Sequence, residues 1–191
     1  RKLEKDSHEL WTGKVYKHLK NPNMFKFTED LSNRQRNVSK GTNTCEYILL
    51  HHTGVIWEGN IKVLLGETWT KASVHFLVMQ DGRSYKLADP KWITWHAWQS
   101  SWEGRIDMNR YCLGIEIEWP WFTEVQRKKA IELTEHLMAV YRIPKERVIR
   151  HKDVAPWRKV DPDESFFRLK GGITNWKLWR FLLKPKEQWN V

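Results

Sequence analysis

A short apolar run that ends in two histidines, Tyr47 to His52 (YILLHH), restricts the fold more than any other segment of the chain. A run of this length that contains aromatic and branched residues is typical of a buried β-strand. The two histidines lie where this strand leaves the sheet. The segment therefore predicts an α/β fold with a polar site at one edge of a sheet.

Three further segments have strand character. SVHFLVM and RSYKLA flank Gln80, Asp81 and Gly82, and Asp-Gly between two such runs is a hairpin signal. In LGIEIE, from Leu113 to Glu118, apolar and acidic residues alternate, which predicts one face on a core and the other on a site. ERVIRH reads as another strand. Together these segments predict a mixed central sheet.

The clearest helix follows Thr123. Thr123 and Gln126 form a capping-box pattern, and Pro144 ends the run. Between them, apolar residues follow at helical spacing, namely Ala130, Leu133, Leu137 and Val140. The later segment ITNWKLWRFLLK predicts a short amphipathic helix, for which docking on the core is favoured over a membrane-surface role.

The length of 191 residues and a change of texture near residue 45 indicate one domain with an arm. Residues 1–44 are a polar arm or linker, with 33–44 (NRQRNVSKGTNT) as a loop, 45–170 are the main domain, and 171–191 are a helical tail. No apolar run reaches the ~18 residues of a membrane span. Because the chain begins at Arg1, we expect a trimmed product whose upstream signal or anchor is not part of it.

The net charge and the two cysteines limit the classes of partner and of metal site that the chain can have. Lys and Arg number 33 against 23 Asp and Glu, a net charge of +10. This excess favours nucleic acid, anionic lipid or the anionic polymers of a cell wall, and a merely solvated basic surface is equally consistent with it. Cys45 and Cys112 fit no CxxC spacing, so a cysteine zinc cluster is excluded, and two free thiols are expected rather than a disulfide.

Histidines and carboxylates near strand ends indicate a metal site. His51 ends one strand, and His151 opens a loop (HKDVAPWRKVDP) that also holds Asp161. Two histidines and one carboxylate with an open fourth position are a known ligand set of catalytic zinc. The alternative for each residue is a structural role. We take His51, His151 and Asp161 as the candidate zinc ligands.

Hydrolysis at such a metal needs two further groups. A general base must take a proton from water, and a cation or donor must stabilise the oxyanion. Glu116 on the inner face of its strand is the candidate base, and Lys159, two residues before Asp161, is the candidate cation. The alternatives are a surface strand residue for Glu116 and a solvated charge for Lys159.

Five segments resemble, in order, the type 2 N-acetylmuramoyl-L-alanine amidase family, which includes a phage lysozyme type, the muropeptide-recycling AmpD type and the peptidoglycan recognition proteins. They are YILLHHT, ASVHFLVMQDG, ITWHA, SSWEGRIDMNRYCLGIEIE and VIRHKDVAPWRKVDP. The pattern His-x7-Lys-x-Asp-Pro in the last is the most specific. The resemblance implies a mixed sheet flanked by helices, a zinc site at one sheet edge, and cleavage of the bond between N-acetylmuramic acid and L-alanine in peptidoglycan or muropeptides.

The resemblance also implies residue roles. His51, His151 and Asp161 match the zinc ligands, Glu116 matches the catalytic acid of the AmpD-like branch, and Lys159 matches a lysine that stabilises the transition state. The phage-lysozyme branch has a catalytic tyrosine where this chain has a valine.

Other matched positions lie around the family's substrate groove. Trp95, His96 and Asn109 match groove residues, and Arg105 is expected to meet a carboxylate of the stem peptide. His75 matches a family histidine that is not a ligand, and His52 is expected to be supporting or structural.

Several of the thirteen tryptophans stand where the family has glycine: Trp98, Trp119, Trp121 and Trp157, with Trp69 as a fifth case. Glycine serves where the backbone needs a positive φ or a close approach, so tryptophan is a poor replacement. One hypothesis is a gene whose UGA codons are read as glycine. The alternative is an unusually aromatic groove that stacks on sugars, and the codons distinguish the two.

Two other functions compete with an amidase. One is a non-catalytic peptidoglycan-binding module of the same fold, which typically lacks a zinc ligand. The other is a nucleic-acid binder, which leaves the His-Lys-Asp segment unexplained. The expected partners are therefore peptidoglycan or muropeptides and not nucleic acid, with a monomeric chain. The basic charge favours a periplasmic or extracellular place at the cell envelope, or release as a phage endolysin, over cytoplasmic recycling.

Overall fold

The computed structural model describes residues 25–54, 59–168 and 174–184. The strands of this part are β1 (Glu29–Asp30), β2 (Val38–Ser39), β3 (Tyr47–His52), β4 (Phe76–Val78), β5 (Ser84–Lys86), β6 (Ile93–Thr94), β7 (Ser101–Trp102), β8 (Arg105–Ile106), β9 (Cys112–Ile117) and β10 (Val148–Arg150). The α-helices are α1 (Asn60–Leu64), α2 (Glu124–Tyr141), α3 (His151–Val154) and α4 (Trp176–Phe181). Short 3-10 turns occupy Ser32–Arg34, Met108–Arg110, Lys145–Arg147 and Glu164–Phe167.

Six strands form the central sheet in the order β1-β5-β4-β9-β3-β10. The neighbours β4, β9, β3 and β10 run parallel, and β5 pairs antiparallel with β4. The mixed α/β sheet expected from the sequence is therefore confirmed. Four parallel strands end at the same edge of the sheet, which is where sites form in open α/β sheets.

The predicted strands occupy the predicted segments. YILLHH is β3, LGIEIE falls within β9 and its next residue, and the hairpin joins β4 to β5 with Gly82 at φ 84°. Side chains alternate between the two faces of each strand. Leu50, Ile115 and Val148 face the core under α2, whereas Leu49 and Ile149 face the opposite side, where His51 and Glu116 also lie.

Helix α2 begins after the predicted cap. The Thr123 hydroxyl accepts a hydrogen bond from the backbone of Gln126 at 3.2 Å, but the Gln126 side chain donates to the carbonyls of Val78 and Glu118 instead of completing a capping box. Of the apolar residues at helical spacing, Val140 is 43% exposed, whereas Met138, which that spacing leaves out, is buried.

Three buried residues of α2 lie four positions apart. One of them is polar, so the apolar pattern in the sequence does not reveal this row. Ala130, Thr134 and Met138 are all buried. The Thr134 hydroxyl donates to the Ala130 carbonyl at 2.7 Å, so this polar side chain is satisfied within its own helix.

The tail helix α4 docks on the core, as predicted. Trp176 and Trp179 are buried, and both rings pack against Phe167. This contact supplies an apolar face that a helix of six residues needs, since such a short helix is not stable alone.

The described part of the N-terminal arm also packs against the sheet. Phe27 stacks on Phe76 with 5.6 Å between ring centroids, and β1 extends the central sheet beside β5. The segment 33–44, read as a loop, contains β2, which pairs with β6. The boundaries at residues 45 and 171 stay predictions, and residues 1–24 lie outside the described part.

Cys45 and Cys112 are free thiols and both are buried, as expected. Burial raises the pKa of the Cys45 thiol to about 12. Within the described residues, no helix has both the length and the apolar character that crossing a membrane requires.

Candidate metal centre

The register of the sheet brings distant residues into one row. In the parallel pairing of β3 with β9, His51 lies beside Glu116. On the other side, Leu50 pairs with Arg150 at the end of β10, so His151 follows beside His51. His51 on β3, Glu116 on β9 and His151 at the first residue of α3 therefore lie beside one another at one edge of the sheet.

His51, His151 and Asp161 form a compact buried cluster, as predicted. The Nδ1 atoms of His51 and His151 lie 2.8 Å apart, and the Asp161 Oδ2 atom lies 3.0 Å from His151 Nδ1 and 3.4 Å from His51 Nδ1. Each residue offers one ligand atom, and these atoms all lie within 4.8 Å of one another. Two nitrogen lone pairs and a carboxylate oxygen that converge in this way suit a bound cation, and the set matches what zinc takes in catalytic sites.

The pKa values of the cluster favour its ligating forms. Burial, followed by the charge that His151 can carry, lowers the pKa of His51 to about 4. Burial raises the pKa of Asp161, but hydrogen bonds to His151 and His51 outweigh it, so this pKa lies below its ordinary value. At neutral pH His51 is therefore neutral and Asp161 is ionised, which are the forms that bind a metal.

Glu116 places an unpaired carboxyl at the edge of the cluster. Its Oε2 atom is buried and has no hydrogen-bond partner within the described residues. Burial and, less strongly, the negative charge of Asp161 raise the pKa of Glu116 to about 8, against the opposing effect of Lys159. An unsatisfied buried carboxyl is costly and marks a functional group more often than a structural one.

Lys159 is half-buried, and its backbone N–H donates to the Ala155 carbonyl at 3.0 Å. Its ammonium has no hydrogen bond or ion pair with any residue that the structure describes. Its positive charge nevertheless lowers the pKa of Glu116 and of His51. The structure thus brings His51, His151 and Asp161 together with Glu116 beside them, and the role of Lys159 stays a prediction.

The predicted groove residues differ in their exposure to solvent. Trp95 is 37% exposed beside the site. His96 and Asn109 are buried, and the Asn109 Oδ1 atom accepts hydrogen bonds from the backbone N–H groups of His96 and Ala97 at 3.0 and 2.7 Å. Because both side chains are buried and Asn109 holds the backbone of His96 and Ala97, these two residues support the site from inside the protein.

Arg105 is not brought to the site. Its guanidinium donates to the Glu46 carboxylate at 2.6 Å and lies over the rings of Tyr47 and Tyr111. Glu46 precedes the start of β3, whereas His51 is near its end, so Arg105 is at the opposite end of the strand. The expectation of a stem-peptide contact is not supported by this position.

His75 has a structural environment. It is fully buried, its Nε2 bonds to the Trp92 carbonyl at 2.9 Å, and its Nδ1 accepts from the Gly114 N–H at 3.1 Å. With both nitrogens engaged, it is neither a ligand nor a free base. His52 also has structural contacts, since its Nδ1 accepts from the Asp163 N–H and its ring stacks with Phe122.

Arg158 is a residue that sequence reasoning did not single out. Its guanidinium donates to the carbonyls of Ala97 and Gln99 and lies over the ring of Trp98. It thereby ties the segment before Lys159 to the segment after His96. About sixty residues separate these partners, so no local pattern indicates the contact.

The tryptophans at family glycine positions differ in backbone conformation. Trp98 has φ 44°, in the left-handed region that favours glycine, and is 71% exposed. Trp69, Trp121 and Trp157 are also exposed, but they do not adopt a positive φ. Trp119 packs against the core. Only position 98 of this set therefore has a conformational reason for glycine.

Comparisons with known proteins agree with this site. A family model described as N-acetylmuramoyl-L-alanine amidase matches residues 41–164. The 1,6-anhydro-N-acetylmuramyl-L-alanine amidase AmpD of Haemophilus influenzae is 36% identical over 101 residues, 50% of this chain and 54% of that protein. The N-acetylmuramoyl-L-alanine amidase AmiD of Escherichia coli is 30% identical over 138 residues, 62% of this chain and 49% of that protein. The chain thus spans about half the length of these relatives.

Solved structures extend the likeness to the fold. An AmpD derivative superposes with a TM-score of 0.69 over 85% of this chain and 97% of that chain, at 20% identity, which speaks for the fold alone. Escherichia coli AmiD, in complex with the substrate anhydro-N-acetylmuramic acid-L-Ala-D-gamma-Glu-L-Lys, gives a TM-score of 0.56 at 28% identity, over 66% of this chain and 56% of that chain.

Proposed function

The chain belongs to the N-acetylmuramoyl-L-alanine amidase family, and from that premise we propose that it is a zinc-dependent hydrolase of the bond between N-acetylmuramic acid and L-alanine. The substrate is peptidoglycan or a soluble muropeptide. The observation that carries the proposal is the convergence of His51, His151 and Asp161 beside Glu116, whose buried Oε2 atom has no hydrogen-bond partner among the described residues.

The candidate ligands would hold zinc through Nδ1 of both histidines and a carboxylate oxygen of Asp161. When bound there, zinc polarises a carbonyl and makes a water more acidic. Both properties serve amide hydrolysis. The burial of all three ligand residues keeps competing water away from these atoms and strengthens their electrostatic interactions.

Glu116 acts as the general base and then as the general acid. Its unpaired Oε2 atom accepts the proton of the attacking water and returns it to the leaving amine of L-alanine. A pKa raised to about 8 suits this exchange, because a base works best when its pKa lies near the working pH.

Lys159 stabilises the oxyanion. The substrate carbonyl oxygen gains negative charge as water adds, and an ammonium that is not paired with any described residue can bind it. The position two residues before Asp161 keeps the ammonium near the reacting carbonyl. The attraction is therefore strongest in the transition state.

The basic net charge of +10 supports action on intact cell wall, at the envelope or after release from a phage, over recycling of soluble fragments. The alternative function is a peptidoglycan-binding module without catalysis. It is less well supported, because all three candidate ligands and both catalytic candidates are present and close together.

The test combines metal analysis with mass spectrometry of digested sacculi and of a soluble anhydromuropeptide. We expect one zinc per chain and release of peptides with a free N-terminal L-alanine. Glu116→Gln, which keeps the shape of the side chain, serves as the inactive control. A zinc-loaded protein that binds sacculi but releases no peptide would establish the binding module instead.

A further inference from the structure

The outer nitrogens of both candidate histidine ligands are held by one short segment. Nδ1 of His51 and Nδ1 of His151 face the cluster. The Nε2 of His51 lies 2.9 Å from Nδ1 of His96, and the Nε2 of His151 lies 3.4 Å from the carbonyl oxygen of Ala97. Two adjacent residues, His96 and Ala97, thus stand behind the two ligands.

The direction of the His51–His96 hydrogen bond follows from coordination. An imidazole that ligates through Nδ1 uses that lone pair for the metal, so its proton is on Nε2. The Nε2–H of His51 therefore donates to Nδ1 of His96, and His96 carries its own proton on Nε2. A fixed acceptor behind a ligating histidine sets both its tautomer and its ring orientation.

His96 is itself fixed by packing. Its backbone N–H and that of Ala97 both donate to Asn109 Oδ1. Its ring lies against Gly114, where an added Cβ would come within 2.9 Å of the ring atoms Cγ and Nδ1. The absence of a side chain at Gly114 thus leaves the space that the His96 ring occupies.

A direct substrate contact is inconsistent with this packing. His96 is only 9% exposed, its Nδ1 is engaged by His51, and its Nε2 is buried. Neither ring nitrogen is available to a molecule in the groove.

We infer that His96 is a positioning residue, whose Nδ1 holds the Nε2–H of His51 and thereby directs Nδ1 of His51 towards the metal. The inference rests on the proposed function, because it requires a metal in the His51–His151–Asp161 cluster. It assigns His96 to metal affinity and not to substrate affinity.

The experiment measures zinc affinity by competition with a chromogenic chelator. His96→Phe keeps a ring but removes the acceptor, and His96→Asn restores an acceptor oxygen near the position of Nδ1. We expect His96→Phe to weaken zinc binding about 10–100-fold and His96→Asn to recover most of that loss. The control is His136→Phe, which replaces a histidine of α2 that stacks on Phe25, on the opposite face of the sheet from His51; it should leave zinc affinity unchanged.

A measurement on the unsubstituted protein guards against variants that fail to fold. In the zinc-loaded, 15N-labelled protein, we expect a proton on Nε2 of His51 and a scalar coupling from that nitrogen to Nδ1 of His96. Equal zinc affinity of His96→Phe and the unsubstituted protein, or a missing coupling, would overturn the inference while leaving the amidase proposal intact. If the unsubstituted protein binds no zinc, both proposals fall.

Discussion

Glu116 lies directly beside His51 in the parallel pairing of β9 with β3. Paired residues in parallel strands direct their side chains to the same face, so the candidate base and the first candidate ligand share one row of the sheet. His151 continues this row after β10. Two of the five candidate residues, His51 and Glu116, are therefore held in a fixed relation by paired strands.

Removal of the carboxylate ligand should abolish stable zinc binding. We expect Asp161→Asn to lose the metal that the unsubstituted protein retains at one equivalent per chain, as measured by elemental analysis after gel filtration. Asp81→Asn, at an exposed hairpin where the carboxylate bonds to Arg83, is the control and should retain zinc. In a zinc-loaded structure the ligand distances should be about 2.0–2.2 Å. Full zinc content in Asp161→Asn would contradict the ligand assignment.

Glu116→Ala should keep zinc and fold but lose most turnover. A positioned base contributes about 10²–10⁴-fold in rate, and this variant leaves no proton acceptor in that place. The comparison is Glu118→Gln, two residues along, where the side chain accepts from the Gln80 backbone. Its activity should stay near that of the unsubstituted enzyme. Near-normal hydrolysis by Glu116→Ala would require another base, and His75 does not qualify because both of its nitrogens are engaged.

Lys159→Ala should lower kcat more than it changes KM. The carbonyl oxygen becomes an anion only as the amide is attacked, so the lost attraction belongs to the transition state. Losing one such stabiliser commonly costs about 10²–10³-fold in rate. Lys159→Arg should recover part of the loss, since its wider guanidinium keeps the charge but not the shape.

A matched lysine separates this effect from a general loss of positive charge. Lys152 lies on α3 nearby, and its ammonium is paired with Glu164, so Lys152→Ala should leave kcat nearly unchanged. A raised KM with normal kcat in Lys159→Ala would instead assign Lys159 to binding a substrate carboxylate.

The backbone conformation at Trp98 predicts that glycine there is more stable than alanine, the reverse of the order expected at most positions. A left-handed conformation costs an L-residue roughly 1–2 kcal/mol and costs glycine nothing, so Trp98→Gly should be more stable than Trp98→Ala. At Trp121, which is also exposed but lacks a positive φ, alanine should be the more stable by about 0.5–1 kcal/mol. Denaturant unfolding of the four variants gives both differences. The same order at both positions would remove the conformational argument for glycine at 98.

The two thiols should resist modification in the folded protein. Burial raises the pKa of Cys45 to about 12 and that of Cys112 well above its ordinary value, so the reactive thiolate is scarce at pH 8. We expect no reaction with a thiol reagent until denaturant is added, followed by two equivalents per chain. Rapid labelling without denaturant would show that at least one thiol is accessible.

The sequence by itself determined the strands β3, β4, β5, β9 and β10, the hairpin and α2, and it named the candidate chemical residues. Apolar runs and periodicity are local, and the spacing from His151 through Lys159 to Asp161 is compact enough to be recognised in one segment. Local patterns failed where a polar residue satisfies itself within an element, as Thr134 does in the core stripe of α2.

Only the tertiary structure decided which residues pack around the candidate metal cluster. The pairing of β3 with β9 and β10 sets which residues share a row, and this register depends on contacts between segments 65 and 100 residues apart. The same packing turns Arg105 to the far end of β3 and buries His96 against Gly114. A sequence records that a histidine is present, but burial and hydrogen-bond direction, which decide whether it meets substrate or another histidine, arise only when the strands pack together.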